Sequence, residues 1–146
     1  MSRSKAIGTA AETAVTRYAN SLGIPARRVA LAGAADHGDV WLWPVGGGAR
    51  VCVEVKAGAK AAAPSWLLLE QWQAEAELES SRVNDCDVAV LVCKRRGSGL
   101  ANAGDWHAWV RADDIHRGGG VLPWTMWRLA DLLHVLIRLH PGWGLT

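Results

Sequence analysis

The sequence contains no phenylalanine, one tyrosine and two methionines, whereas tryptophan occurs nine times among its 146 residues. Its three cysteines, Cys52, Cys86 and Cys93, are an odd number and form no Cys-x-x-Cys pair. This pattern argues against a zinc site or a disulfide framework and predicts reduced, buried thiols in a cytosolic protein. Because half of the residues are hydrophobic, one domain of this length can bury a sizeable core.

The chain also lacks a strong excess of charge and long apolar runs. Its formal net charge is +2, so total charge does not indicate a polyanionic partner. The apolar stretch near residues 129–139 is interrupted by Asp131, His134 and Arg138, and the first ten residues lack the apolar core of a signal peptide. We therefore expect a cytoplasmic protein with no membrane contact. It should form a single domain over 1–146, with a core at about 4–111 and a Trp-rich helical extension at about 112–146.

Hydrophobic periodicity predicts alternating helices and strands. Helices are expected at residues 4–22, 65–81 and 125–139, and strands at 28–31, 39–43, 50–56, 87–93 and 106–111. Residues 33–38 and 58–64 are predicted to be loops, and 44–48 a hairpin turn. The order predicts an α/β sandwich around a mixed sheet, with an antiparallel first hairpin and a parallel strand after the second helix. Most tryptophans are expected to serve packing.

The strand predicted at residues 50–56 carries two charged side chains on one face. Its valines alternate with Cys52, Glu54 and Lys56, so Glu54 and Lys56 must project from the same side. If the two strands of the hairpin pair, Asp39 meets Glu54 at one end of it. Two close carboxylates repel each other unless a cation lies between them, and oxygen ligands favour Mg²⁺ or Mn²⁺. Lys56 could orient or deprotonate a water molecule, or hold a phosphate oxygen.

Gly38-Asp39-Val40 followed by Glu54-Val55-Lys56 resembles the active-site motif of the PD-(D/E)xK nuclease superfamily, with Gly38 in place of the usual Pro. The segment from Gly8 to Glu12 is similar to the first-helix motif of archaeal-type Holliday-junction resolvases and their actinobacteriophage relatives. The resemblance covers about the first two thirds of the chain. It implies a restriction-endonuclease-like core (α-β-β-β-α-β-β) plus a C-terminal helix. It also implies the catalytic set Glu12, Asp39, Glu54 and Lys56, and a Mg²⁺ site formed by Glu12, Asp39, Glu54 and the Val55 carbonyl.

The resemblance further implies an endonuclease that cuts branched DNA, needs no nucleotide cofactor and acts as a homodimer, because a junction resolvase cuts two strands symmetrically. The basic residues expected to contact DNA are Arg27, Arg28, Lys60, Lys94, Arg95 and Arg96.

Several alternatives stay open. The chain could be a restriction- or repair-type nuclease for duplex or flapped DNA, or a catalytically silent DNA-binding module. Asp36 competes with Asp39 as the ligand from the loop, and His37 could touch phosphate or stabilise that loop. Gln71 and Gln73 are expected on the surface of the second helix.

Overall fold

The chain alternates helices and strands in the residues that the computed structural model describes, which are 2–29, 39–43, 50–83, 86–115 and 123–139. The helices are α1 (Arg3–Ser21), α2 (Ala59–Ala62), α3 (Trp66–Ser81), α4 (Ala112–Ile115) and α5 (Leu129–Leu139), with a 3₁₀ helix at Leu100–Asp105. The strands are β1 (Ala26–Arg28), β2 (Val40–Leu42), β3 (Arg50–Lys56), β4 (Cys86–Cys93), β5 (His107–Arg111) and β6 (Trp124–Arg128).

The six strands form one mixed sheet in their order along the chain. β1, β2 and β3 pair antiparallel, β3 and β4 pair parallel, and β4, β5 and β6 pair antiparallel. α3 makes the crossover between the two parallel strands, as a parallel pair requires. The prediction of an α/β fold with a mixed sheet, an antiparallel first hairpin and a parallel strand after the second long helix is confirmed.

Helices cover both faces of the sheet. The main core joins α1 and α5 to the valines of β3 and β4, and it contains the fully buried Trp106. A second cluster lies under α3 around Leu91 and Cys93, with Trp72, Trp109 and Trp124 packed against it. The prediction that most tryptophans serve packing is confirmed for these four. No helix in the described ranges is both long and apolar enough to cross a bilayer.

Two expected boundaries differ from the structure near the start and middle of the chain. The first strand was expected at residues 28–31 but spans Ala26–Arg28. The Asn20 side chain both donates to the Ala26 carbonyl and accepts from its N–H, so pairing begins directly after α1. Residues 58–64 were expected to be a loop but contain α2, because the run Ala59–Ala62 has high helix propensity and Pro64 prevents its extension.

The largest correction concerns the C-terminal third. A helix was expected over residues 125–139, but Trp124–Arg128 forms β6 and the helix begins at Leu129. Alternating Trp, Thr and Met side chains suit a strand, and β5 offers an unpaired edge with which Thr125 and Trp127 are in register. The predicted loop at 33–38, with Asp36 and His37, and the predicted turn at 44–48 lie outside the described residues.

Gly58 turns the chain from β3 into α2. Its φ of +100° and ψ of −176° lie in a region that L-residues with a side chain strongly disfavour. An added Cβ would meet no atom within 4 Å, so the cost of substitution is backbone strain alone. We expect Gly58→Ala to lower the free energy of unfolding by about 1–3 kcal/mol, measured by urea denaturation. Gly8→Ala, a substitution within α1 that also meets open space, is the control and should not destabilise the protein.

Candidate active site

Asp39 lies immediately before β2 and is held against the neighbouring strands. Its N–H donates to the Val53 carbonyl over 3.0 Å, and its carbonyl accepts from the Val29 N–H over 2.9 Å. Its carboxylate Oδ2 accepts from the Val55 N–H over 2.8 Å. Both the backbone and the side chain of Asp39 are therefore anchored beside the C-terminal half of β3.

Glu54 is a buried acid in β3, with 7% of its surface exposed. Its Oε1 lies 3.2 Å from Lys56 Nζ, whereas its Oε2 is buried and has no hydrogen-bond partner among the described residues. Burial and contact with the Glu79 carboxyl raise the pKa of Glu54 to about 8, against the opposing charge of Lys56. A carboxylate with one oxygen unsatisfied in this way is well placed to bind a cation.

Asp39 and Glu54 influence each other directly. Burial first, and then the charge of Glu54, raise the pKa of Asp39 to about 8, although the Val55 N–H favours the ionised form. Ionisation of both carboxyl groups in a poorly solvated site is unfavourable unless a cation compensates their negative charge. The predicted meeting of Asp39 and Glu54 at one end of the hairpin is confirmed.

Lys56 is held as a cation between two carboxylates. Its Nζ lies 3.2 Å from Glu54 Oε1 and 3.1 Å from Glu75 Oε2. Burial lowers the pKa of Lys56, but Glu54 and Glu75 outweigh that effect, and the pKa is raised above its ordinary value. A firmly protonated ammonium can attract a phosphate oxygen or orient water, but it is poorly suited to deprotonate water. Of the three roles expected for Lys56, its surroundings favour binding a phosphate oxygen and orienting water over deprotonating water.

Glu12 approaches Asp39 from α1. Its Oε2 lies 3.1 Å from the Arg28 guanidinium, its side chain is 17% exposed, and its carboxyl group contributes to the raised pKa of Asp39. Arg28 therefore orients Glu12 toward Asp39 and Glu54. The expected contact of Arg28 with DNA stays a prediction.

The oxygen donors at this position fit a hard divalent cation. The Val55 N–H points toward Asp39, and the carbonyl of the same strand residue is directed to the same side. Mg²⁺ is commonly held by one or two carboxylates together with water, so Asp39, Glu54 and the Val55 carbonyl form a suitable donor set. Within the described ranges, no three His, Cys, Asp or Glu side chains together have metal-site geometry, and the ligand role of Glu12 stays a prediction.

Four of the six expected DNA-binding residues lie near the C-terminal ends of β3 and β4. Lys94 directly follows β4, and its N–H donates to the Lys56 carbonyl over 2.9 Å. Arg95 and Arg96 come next in the chain, Lys60 lies in α2, and all three are exposed. These cations therefore lie around the C-terminal end of β3, where Glu54 and Lys56 are found.

Arg27 belongs to a different group of side chains. It projects from the face of β1 opposite to Arg28, and its guanidinium carbon lies 5.1 Å from the Trp41 ring centroid and 5.0 Å from that of Trp43. Arg50 covers the same two rings at 4.6 and 5.5 Å. We call Arg27, Trp41, Trp43 and Arg50 the Arg–Trp cluster. Of these four residues, only Arg27 was expected from the sequence to bind DNA.

α3 supplies two further acids that were not expected from the sequence to belong to the site. Glu75 pairs with Lys56, and Glu79, with 8% of its surface exposed, contacts Glu54. Their spacing of four residues places both on one face of a helix, which was the available signal. Only the docking of α3 on β3 and β4 shows which face of the helix meets the site.

The expectation for the two glutamines of α3 is half right. Gln71 is exposed, as expected, but Gln73 is buried. The buried residues of α3 include Leu69 and Ala76, and Gln73 lies between them on the same helical stripe, which explains its burial.

The described residues thus form an α/β fold whose mixed sheet carries the partly buried Asp39, the buried Glu54 and Lys56 near the C-terminal end of β3. In comparisons with known proteins, no family model, no curated protein and no solved structure matches the chain.

Proposed function

We propose that this protein is a metal-dependent DNA endonuclease of the PD-(D/E)xK type. The observation that carries the proposal is the pairing of the partly buried Asp39 with the buried Glu54, which has an unsatisfied oxygen and Lys56 held as a cation beside it. Three ionisable groups in a poorly solvated site are costly for stability and contribute nothing to the core. Their presence is explained if they bind a cation and an anionic substrate.

Each residue has a distinct task in this proposal. Asp39 and Glu54, with the Val55 carbonyl, hold Mg²⁺ or Mn²⁺, which when bound makes water more acidic and stabilises negative charge on phosphate. The Val55 N–H fixes the orientation of the Asp39 carboxylate over 2.8 Å. Lys56, kept protonated by Glu54 and Glu75, attracts a non-bridging phosphate oxygen and orients the attacking water.

Glu12 would complete the site from the side of α1. Arg28 neutralises its charge and keeps its carboxylate within reach of Asp39. In this position Glu12 would accept hydrogen bonds from water beside Asp39 and so would help to orient water at the site.

Branched DNA, such as a four-way junction, is the proposed substrate. The exposed cations Lys60, Arg95 and Arg96 lie near the same sheet edge as the acids and suit contacts with phosphate groups around the scissile bond. Symmetrical cleavage of two strands requires two sites, so a two-fold homodimer in the cytoplasm of a host cell belongs to the proposal.

The test is cleavage of a labelled four-way junction beside a linear duplex and a flapped duplex of the same sequence, with Mg²⁺, with Mn²⁺ and with EDTA. We expect nicking of the junction that depends on the divalent metal and exceeds nicking of the duplex by about tenfold or more. The mass in solution, measured in parallel, should correspond to a dimer.

Each other result has a definite meaning. Equal cleavage of all three substrates would keep the nuclease and reject the junction preference, in favour of a restriction- or repair-type enzyme. Tight DNA binding with no cleavage in either metal would reject the nuclease in favour of a silent binding module.

A further inference from the structure

The Arg–Trp cluster is a second cationic feature that the proposed catalytic chemistry does not use. Arg27 pairs in register with Trp41, while Arg50 on the far side of β2 covers both Trp rings. The four guanidinium-to-ring distances lie between 4.6 and 5.5 Å. Two guanidinium groups and two indole rings therefore form a continuous layer on one face of β1, β2 and β3.

Charge and exposure make this layer suitable for an anionic ligand. Arg27 is exposed, and Trp41, Trp43 and Arg50 are partly exposed. Neither arginine forms an ion pair with another described residue. The rings hold the guanidinium groups in place, so less side-chain freedom is lost when a ligand binds.

The layer continues toward the acidic pair along two strands. Trp41 is two residues from Asp39 on the same side of the chain, and Arg50 is four residues from Glu54 on the same face of β3. At the rise of an extended strand, Arg50 and Glu54 are separated by about 13 Å between Cα atoms. A flexible nucleic-acid strand lying on the Arg–Trp cluster can therefore reach Asp39 and Glu54.

Indole and guanidinium planes favour flat aromatic ligands, and guanidinium groups also bind phosphate. Unpaired bases stack on both kinds of plane and offer phosphates to the edge of each guanidinium group. Bases in an intact duplex are stacked on each other and cannot do so. The cluster therefore suits an unpaired strand better than the outside of a duplex.

We propose that the Arg–Trp cluster binds unpaired nucleotides of the DNA substrate and guides that strand to the acidic pair. This inference rests on the proposed nuclease function and adds to it a substrate class, namely DNA with a single-stranded or openable segment beside the scissile bond.

The test measures binding separately from cleavage. A labelled thymidine 20-mer and a blunt duplex of equal length are titrated in EDTA, with fluorescence anisotropy as the readout. Arg27→Lys keeps the charge but loses the flat face. Trp43→Leu removes one ring, and Trp43→Phe retains an aromatic ring in case the leucine variant does not fold. Arg17→Gln, on an exposed position of α1 across the sheet, is the control.

We expect Arg27→Lys and Trp43→Leu each to weaken binding of the single strand by about fivefold or more, since one stacking contact is lost. Binding of the duplex should change by less than about twofold, as should binding of either DNA by Arg17→Gln. The dependence of single-strand binding on salt should be unchanged in Arg27→Lys, because the number of cations is the same.

Unchanged single-strand binding in both variants, or equal weakening for the duplex, would overturn the inference. So would a change in the mass of the protein in solution without a change in DNA affinity, which would assign the cluster to an interface between copies of this chain. Cleavage with Mg²⁺ is measured in a separate assay. If cleavage fails while stacking-dependent binding persists, the nuclease proposal falls and the binding surface stands.

Discussion

Replacing Glu54 with Gln is expected to reduce Mg²⁺-dependent cleavage by about a thousandfold or more without loss of the metal-free fold. Gln has nearly the same shape but cannot supply the anionic oxygen that a hard cation needs. In the metal-free protein Glu54 is buried beside Asp39 and Glu79, and its pKa is raised to about 8. Near neutral pH folding therefore has to hold this carboxyl away from the ionised form that it adopts in water, a cost that Gln does not carry. The free energy of unfolding should therefore stay unchanged or rise by up to about 2 kcal/mol.

Three measurements check this expectation. Single-turnover cleavage reports the chemistry, urea denaturation reports stability, and the change in melting temperature on adding Mg²⁺ reports metal binding. The wild-type protein should be stabilised by Mg²⁺ and the Glu54→Gln variant should not. Glu70→Gln, at an exposed position of α3, is the matched control and should behave as wild type. Cleavage by Glu54→Gln within about tenfold of wild type would show that Glu54 is not a metal ligand.

Replacing Lys56 with Met should lower the cleavage rate by about a hundredfold to a thousandfold, because one preorganised cation at the developing phosphate charge is lost. Methionine keeps an unbranched side chain of similar length but removes the ammonium group, which lies 5.6 Å from the Trp72 ring centroid. Lys56→Arg should restore little activity, since the broader guanidinium group does not reproduce the position of Nζ between Glu54 and Glu75. Single-turnover rates at saturating DNA separate this effect from weaker binding.

Glu75→Gln provides the comparison. Glu54 alone still holds Lys56 at 3.2 Å, so the rate should fall by less than about tenfold. If Glu75→Gln were as damaging as Lys56→Met, Glu75 itself would act in the reaction. If Lys56→Met retained wild-type activity, Lys56 would have only a structural role.

Much of the sheet could be predicted from local patterns. The alternation of valines with Cys52, Glu54 and Lys56 in β3 places both charged residues on one face wherever the strand lies. The continuous apolar run in β4 predicts a central strand, and its last six residues are all buried. A serine directly before a helix is a typical N-cap, and the hydroxyl of Ser65 before α3 accepts from the Leu68 N–H over 3.2 Å.

Local patterns failed where a distant partner decided the outcome. Trp124–Arg128 joins the sheet because β5 leaves an edge to pair with, and no feature within those five residues identifies that edge. Gln73 is buried because α3 turns that stripe toward the sheet. Both errors came from treating a segment as if its neighbours along the chain were its only neighbours in space.

In the acidic site, too, local patterns predict some properties and contacts between distant elements decide the others. By itself, the sequence determined that Asp39 stands at the entry to a strand and that Glu54 and Lys56 share a face, since these properties follow from turn chemistry and the two-residue period of a strand. Only the tertiary structure decided that the Val55 N–H binds the Asp39 carboxylate. It likewise decided that Glu75 keeps Lys56 charged and that contact with the Glu79 carboxyl raises the pKa of Glu54. The burial and charge that set these ionisation states come from elements far apart in the chain. Their effect depends on distances that no local sequence pattern specifies.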